Sequence, residues 1–208
     1  MNYFLKAIKL YTVILIFISC KAEKNESEIK IINDQSYFSS VEKFRMSTNS
    51  FFESQDSPLE DSMKTNFIGL QYFSIDTVFR IPALYETIKD GEIFKIAVSG
   101  SSGDNYQTVG KLHFNLSGKH LTLEIYENQT LKASENPYFF IPFSDNTNGK
   151  ETYGGGRYLD FTPPATENMI LDFNMAYQPY CAYNHAYSCP IPTTANKLNI
   201  EIRAGERL

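Results

Sequence analysis

The feature that most constrains the fold is a series of short β-rich segments that begins near residue 67. Apolar and polar residues alternate within these segments, and turn signals such as KDGE, LSGK and TNGK separate them. The predicted strands are Phe67–Phe73, Thr77–Ile81, Ile93–Ser99, Tyr106–Leu116, His120–Tyr126, Tyr138–Phe143, Tyr158–Phe161, Ile170–Phe173 and Leu198–Ile202. Because no helical pattern lies between them, they predict a mainly β fold, an antiparallel β-barrel or sandwich-like domain.

An N-terminal helix is predicted ahead of the strands. In the segment Ser36–Ser54 the apolar residues recur at helical spacing, at Phe38, Val41, Phe44, Phe51 and Phe52. Asp34 or Ser36 can supply the N-cap. We expect this helix to pack on the strands as a lid, so that residues 35–208 form a single globular β-rich domain.

The first twenty residues carry the pattern of a bacterial export signal. Lys6 and Lys9 precede an apolar run, Leu10–Ile18, which is shorter than the roughly 20 residues that a membrane-spanning helix needs. The sequence FISC that follows resembles a lipoprotein lipobox, although Phe17 stands where leucine is usual. We therefore expect removal of residues 1–19, acylation of Cys20 by fatty acids such as palmitate, and a flexible tether over residues 20–34. The alternatives are an ordinary signal peptide and an uncleaved anchor.

These features predict a location in the cell envelope. The protein is expected to be lipid-anchored to a bacterial membrane, the outer membrane in particular, with its domain in the periplasm or at the cell surface. Its expected partners are that membrane and a small-molecule ligand. With 24 acidic against 19 basic residues and no run of lysine or arginine, the sequence argues against nucleic acid as a partner. No cofactor is expected.

Three stretches of the chain resemble a known family. They are FIGLQYFSIDTVFRIPA, PFSDNTNGKETYGGGRYL and LDFNMAYQPYCAYNHAYSCPIPTTANKLNIEIRAGE, and the resemblance covers about Ser57 to Glu206. Their motifs resemble those of domain of unknown function 1684, which would make this chain an uncharacterised lipoprotein member. Gln178 departs from the family pattern, which has asparagine there, and this puts a role for that side chain in doubt. The resemblance implies no reaction, because the function of the family is not established.

The segment Asp145–Phe161, DNTNGKETYGGGRYLDF, is the first candidate for a functional site. Its GK dipeptide lacks the following serine or threonine of a Walker A loop, and no helix is predicted after the GGG triplet, as a dinucleotide fingerprint requires. The NG dipeptide instead predicts a turn, which reverses the chain after the preceding strand. Gly154–Gly156 predicts either a bulge or the close approach of another chain segment or a ligand.

The polar residues of this segment are expected at one rim of the sheet. They are Asp145, Glu151, Tyr153 and Arg157. Arg157 is the predicted anchor for a ligand carboxylate or phosphate, which a guanidinium binds through two hydrogen bonds. The alternative is that Arg157 forms an ion pair with Asp145, Glu151 or Asp172 inside the fold.

The segment Ile170–Pro192 is the second candidate. Its polar and aromatic residues are Asp172, Asn174, Tyr177, Tyr180, Tyr183 and Tyr187. Tyrosines supply flat walls for a ligand, but they can equally pack an irregular loop. Cys181 and Cys189 predict a disulfide in an oxidising compartment, with free buried thiols or a metal site that includes His185 as alternatives.

We expect the two segments to meet in one concave site that binds a small polar or anionic ligand. The predicted ligand-binding residues are Arg157, Tyr153, Asn174, Tyr177 and Tyr183. The alternatives are a structural or interaction role in the envelope and a hydrolase that uses paired carboxylates, with Asp145, Glu151 and Asp172 as the catalytic candidates. A serine–histidine triad is disfavoured, because neither His113 nor His120 lies near a nucleophile motif.

Overall fold

The computed structural model describes residues 19–98, 103–131 and 138–208, and for residues 19–33 the backbone alone. Residues 1–18 of the predicted signal peptide lie outside the described residues, and so does the side chain of Cys20. Within the described part of the chain, no helix is both long enough and apolar enough to cross a membrane. The chain divides into two compact units, Met1–Glu42 and Lys43–Leu208, and the second contains all the strands.

Helix α1 runs over Ser19–Phe52, which confirms the prediction of a helix ahead of the strands. Its last turns belong to the second unit and bury apolar surface there. The Phe52 side chain is buried and its ring packs edge-on against Tyr183 at 5.0 Å between centroids. One turn earlier, Asn49 Oδ1 accepts the backbone N–H of Leu70 at 2.7 Å. Full burial of a phenylalanine contributes roughly 1.5–3 kcal/mol, so the end of α1 is held firmly by the β domain.

Over residues 53–98, 103–131 and 138–208, a short α-helix and nine strands follow. Helix α2 covers Asp61–Lys64. The strands are β1 Gln71–Tyr72, β2 Arg80–Thr87, β3 Ile93–Lys95, β4 Asn105–Leu116, β5 Lys119–Asn128, β6 Phe139–Phe143, β7 Arg157–Phe161, β8 Asn168–Asp172 and β9 Glu206–Arg207. Several of them are shorter than the sequence pattern predicts, β1 and β3 most clearly.

The strands form one large and one small antiparallel sheet. The large sheet has seven strands in the order β7-β6-β5-β4-β2-β8, with β3 paired to β4, and β1 pairs with β9 separately. Each of these pairs is antiparallel. The predicted fold class, mainly β and antiparallel with an N-terminal helix, is therefore confirmed. The large sheet curls into a half-barrel whose two ends are β7 and β8.

The β4–β5 hairpin supplies the centre of the main core. Leu112, Leu123 and Ile125 are completely buried, as their alternation with polar residues predicts. The hairpin turns at Ser117 and Gly118, as expected, and both residues have positive φ angles, 52° and 72°. Two positive angles define the type I′ turn that matches the twist of paired strands, which explains the small residues at this point.

Two predicted strands are wrong in detail. Thr77–Ile81 was predicted as one strand, but Thr77–Phe79 forms a single 3-10 turn before β2 because the Asp76 side chain accepts the backbone N–H of Val78. The segment Leu198–Ile202 is irregular, although its alternating apolar side chains are buried. Its backbone groups bond to a neighbouring loop and to a side chain, with Leu198 N–H donating to the Ser144 carbonyl at 2.7 Å.

Candidate functional site

Arg157, the predicted ligand anchor, lies in the interior at the start of β7. Its side chain is completely buried. Nη2 donates to Asp145 Oδ2 at 2.9 Å and to the Ile202 carbonyl at 2.6 Å, while Nη1 donates to the carbonyls of Ala204 at 2.5 Å and Glu206 at 3.1 Å. Burial lowers the pKa of Arg157, and the Asp145 carboxylate opposes that effect. The structure thus favours the ion-pair alternative, and the ligand-anchor prediction loses its support.

The three carboxylates predicted as catalytic candidates have separate structural contacts. Asp145 bonds to Arg157, and Glu151 forms a surface ion pair with Arg203 at 2.8 Å. Asp172 Oδ1 accepts the backbone N–H of Asn174 at 3.0 Å and so caps a 3-10 turn. None of the three lines the cleft described below, so the structure gives them no shared site for acid–base chemistry.

Asn174, another predicted ligand residue, is also a structural residue. It is completely buried, and its amide bridges to the backbone of Asp76. Asn174 Oδ1 accepts the Asp76 N–H at 3.0 Å and Nδ2 donates to the Asp76 carbonyl at 2.8 Å. This reciprocal pair holds the segment before β2 against the end of β8.

The glycine triplet allows one chain segment to approach another. Gly156 has φ of 91°, and a Cβ added there would lie 2.6 Å from Pro192 Cγ and 2.7 Å from the Phe143 carbonyl oxygen. A side chain would therefore clash with both neighbours. The prediction offered a chain segment or a ligand as the approaching group, and the described neighbours of Gly156 are chain segments.

The two predicted segments do meet. Tyr158 and Tyr177 exchange both backbone hydrogen bonds, at 2.9 and 3.0 Å. Next to them, Gln178 Oε1 accepts the Tyr153 N–H at 2.7 Å and Gln178 Nε2 donates to the Tyr183 hydroxyl at 2.9 Å. Tyr153 and Tyr183, both predicted to bind a ligand, are thus joined through Gln178, the residue whose role its departure from the family pattern had put in doubt.

A disulfide holds the tyrosine-rich loop. Cys181 and Cys189 are bonded at 2.07 Å, and the Cys181 side chain is buried. Within this loop the rings of Tyr180 and Tyr187 pack edge to face at 5.2 Å. His185 is exposed, and no cluster of three or more metal-binding side chains occurs among the residues that the structure describes. The bridge closes a short loop and fixes the position of Tyr180.

A cleft of about 410 Å³ opens where the end of helix α1 meets the tyrosines, and we call it the tyrosine cleft. Its aromatic walls come from Phe44, Phe51, Phe52, Tyr138, Tyr177 and Tyr180. Its polar lining comes from Ser47, Thr48, Asp160, Gln178 and Glu206. Apolar walls with a few converging polar groups are typical of small-molecule sites, whose volumes run from roughly 300 to 1,000 Å³.

Asp160 is the exposed residue of β7 and organises one side of the tyrosine cleft. Its Oδ1 accepts the hydroxyl of Tyr177 at 2.6 Å and that of Tyr138 at 2.9 Å, and the two hydroxyl oxygens are 3.0 Å apart. Burial raises the pKa of Tyr177, and the nearby Tyr138 and Asp160 add to the effect. Burial likewise raises the pKa of Tyr138. Both phenols are therefore neutral donors at physiological pH, and Asp160 Oδ1 is the acceptor that they share.

Glu206, in β9, is the second carboxyl group of the tyrosine cleft. It is 1% exposed. Burial raises the pKa of Glu206 to about 8, against the lowering effects of hydrogen bonds from Gln178 and of the Arg157 charge. The Gln178 backbone N–H donates to Oε2 at 3.1 Å. Near neutral pH this carboxyl group is largely protonated, so it can offer a ligand both a donor and an acceptor.

Comparison of the chain with known proteins identifies its family. Residues 65–207 match the family described as "Protein of unknown function (DUF1684)". The chain belongs to the DUF1684 family. A solution NMR structure of an uncharacterised protein from Haloarcula marismortui is similar to it, with 31% sequence identity and a TM-score of 0.68 over 85% of this chain and 96% of that chain. No curated protein matches the sequence.

The predicted site residues of this DUF1684 chain do not include Asp160 and Glu206, the two carboxyl groups of the tyrosine cleft. Asp160 is the polar residue between Leu159 and Phe161 in the strand YLDF, so alternation alone separates its side chain from the buried face. Glu206 ends the AGE motif that resembles the family pattern, and an acidic residue in that motif is a signal for a functional side chain. Of the predicted ligand residues, Tyr177 alone is among the described residues that line the cleft.

Proposed function

We propose that this DUF1684 protein is a cell-envelope lipoprotein whose β-rich domain binds a small polar ligand in the tyrosine cleft. The observation that carries the proposal is the convergence of Asp160 and Glu206 on one cleft with aromatic walls. The walls can bury the apolar part of a ligand, and the carboxyl groups can fix its orientation.

The charge of the tyrosine cleft argues against an anionic ligand. Among the described residues that line it, none is a lysine or an arginine, so the lining offers no cation to pair with an anion, and its two acidic side chains are Asp160 and the largely protonated Glu206. The prediction of an anionic ligand depended on Arg157, but both terminal nitrogens of Arg157 are hydrogen-bonded to protein oxygens. The proposed ligand is therefore neutral or cationic.

The lipid anchor is the second part of the proposal. The two lysines, the short apolar run and the FISC junction support cleavage before Cys20 and acylation of that residue. The membrane is then the partner of the anchor, and the β domain lies in the periplasm or at the cell surface. The intact mass of the protein isolated from its own membrane is expected to lack residues 1–19 and to include fatty acids on Cys20. A chain with its N-terminus intact, or cleaved elsewhere, would contradict this.

Ligand binding is tested by a thermal-shift screen of neutral and cationic small molecules. A compound at a hundred times its Kd raises the free energy of unfolding by about 2.7 kcal/mol and the Tm by several degrees. The shift should shrink in Phe51→Ala, which removes an aromatic wall, and persist in Ile170→Ala, an equally exposed apolar residue outside the cleft. A screen without any stabilising compound, or a shift that Phe51→Ala leaves intact, would contradict the proposal.

Hydrolysis is a second candidate function, because a carboxyl group with a raised pKa suits a general acid. Glu206 has that property and shares the tyrosine cleft with the Asp160 side chain. Conversion of a bound compound to product, lost in Glu206→Gln while binding persists, would favour an enzyme. Unchanged ligand after prolonged incubation with wild-type protein would favour a binding module.

A further inference from the structure

We infer that the tyrosine cleft binds a tertiary or quaternary ammonium group, held against the tyrosine rings beside Asp160. This inference rests on the proposed ligand-binding function and narrows it to one chemical class of ligand. Three features of the cleft lead to it: the nature of its walls, the position of its negative charge and its size.

The walls of the tyrosine cleft are mainly aromatic faces and edges. Six of the lining side chains are aromatic. Three come from helix α1, one comes from Tyr138 just before β6, and two come from Tyr177 and Tyr180 after β8. Phe51 and Tyr180 stack at 6.3 Å between centroids, and Phe52 meets Tyr180 edge to face at 6.2 Å. Aromatic rings attract cations through their negative faces, and groups of such rings are the usual receptor for quaternary ammonium ions.

The hydrogen bonds of two tyrosines strengthen this attraction. Tyr138 and Tyr177 both donate to Asp160 Oδ1, at 2.9 and 2.6 Å. A phenol that donates to a carboxylate gains electron density, which makes the face of its ring more negative. Both donors use the same oxygen of Asp160, so among the described residues Oδ2 has no hydrogen bond and can face a bound cation.

A primary ammonium group fits the tyrosine cleft less well than a tertiary or quaternary one. A primary ammonium requires three hydrogen-bond acceptors to replace its water. A tertiary or quaternary ammonium requires one or none, so it loses less hydration free energy on entering aromatic surroundings. Glu206 adds no full second charge, since burial keeps it largely protonated near neutral pH. A volume of about 410 Å³ lies near the low end for small-molecule sites, so the ligand is compact.

The test uses three probes of one shape and three charges. They are choline, the neutral 3,3-dimethylbutan-1-ol and the anionic 3,3-dimethylbutanoate. Each is titrated by NMR into the full chain in a non-ionic detergent. Choline should bind at least tenfold more tightly than the alcohol, and the carboxylate should bind most weakly. Raising the salt concentration should weaken choline binding and leave the alcohol unchanged, because only the charged probe is screened.

Substitutions then assign the preference to the tyrosine cleft. Asp160→Asn keeps an oxygen that can accept both tyrosine hydroxyls and removes the charge, so choline affinity should fall about tenfold and alcohol affinity should stay the same. Glu167→Gln removes one carboxylate from an exposed residue outside the cleft and should change neither affinity. Loss of choline affinity in both variants would show a general charge effect and overturn the inference.

The remaining outcomes separate this inference from the proposed function. If the alcohol or the carboxylate binds as tightly as choline, the cleft binds ligands but the ammonium class is wrong. If no probe binds wild-type protein at millimolar concentration, the ammonium class is also wrong, and the thermal-shift screen decides independently whether the cleft binds any ligand.

Discussion

Replacing Arg157 with alanine should destabilise the domain more than any surface substitution. The guanidinium neutralises Asp145, whose side chain is completely buried in the pair, and it donates to the carbonyls of Ile202, Ala204 and Glu206. Removal leaves a buried carboxylate without its cation and three buried carbonyls without a donor. Breaking a buried ion pair on one side costs about 3–5 kcal/mol, because the remaining charge has no compensation.

Urea denaturation followed by far-UV circular dichroism measures this cost. With a slope of about 2 kcal/mol per molar urea, a loss of 4 kcal/mol lowers the unfolding midpoint by about 2 M. Arg203→Ala is the matched control, since Arg203 pairs with Glu151 at the surface with half of its side chain exposed. Water and salt screen such an exposed pair, so the control midpoint should change only slightly compared with that of Arg157→Ala.

A double substitution separates the charge from the packing. Arg157→Met with Asp145→Asn removes both charges and keeps most of the volume, so it should recover part of the stability lost in Arg157→Ala. If the midpoint of Arg157→Ala falls no further than that of Arg203→Ala, the interior ion pair contributes little and this reasoning is refuted.

Three further predictions concern the backbone, the buried acid and the loop. Gly156→Ala should cost about 1–3 kcal/mol from backbone strain and steric overlap. Gly154→Ala, whose added Cβ meets nothing closer than 3.9 Å, should leave the urea midpoint unchanged within error. Equal effects of the two substitutions would contradict the conclusion that Gly156 is required for the close approach of chain segments. Glu206 has a pKa of about 8 in the native state against an ordinary 4.5, so the folded protein keeps a proton that the unfolded chain releases. The stability that Glu206 contributes should therefore be complete below about pH 4.5 and fall by up to about 1.4 kcal/mol per unit as pH rises to 8, and Glu206→Gln should lose this component of the pH dependence; parallel pH profiles would refute this. Replacing Cys181 and Cys189 together by alanine should cost roughly 2–3 kcal/mol for so short a loop, seen as a lower Tm, and an unchanged Tm would show that the bridge adds nothing to stability.

Much of the fold follows from local pattern. Strict alternation predicts β4 and β5, and the small residues at Ser117–Gly118 predict the turn between them, because period two and turn chemistry are properties of neighbouring residues. The segment Leu198–Ile202 has the same alternation and buries the same face, yet it forms no strand. Its backbone partners are the Ser144 loop and Asp145, and no local pattern reveals which partner a backbone group will find.

The candidate site was less predictable for a related reason. The two dense segments do meet, but the sequence does not distinguish a charged residue that is used inside the fold from one that faces a ligand. Arg157 and Asn174 are both fully buried and bonded to the protein, while Asp160 and Glu206 come from different strands and share a cleft with helix α1. That convergence depends on the packing of a helix end on the sheet, which a one-dimensional pattern leaves open.

The small β1–β9 sheet has a consequence for the biogenesis of the protein. Gln71 pairs with Arg207, and Arg157 depends on the carbonyls of residues 202–206, so earlier parts of the domain need a segment that lies far along the chain. A nascent chain that lacks this segment has neither the acceptors for its buried guanidinium nor the acid of its cleft. Such distant pairings slow folding, because long stretches of chain must close before the contacts form. Slow folding leaves the chain unfolded for longer, which suits threading through a translocation channel, the route that the sequence around Cys20 predicts.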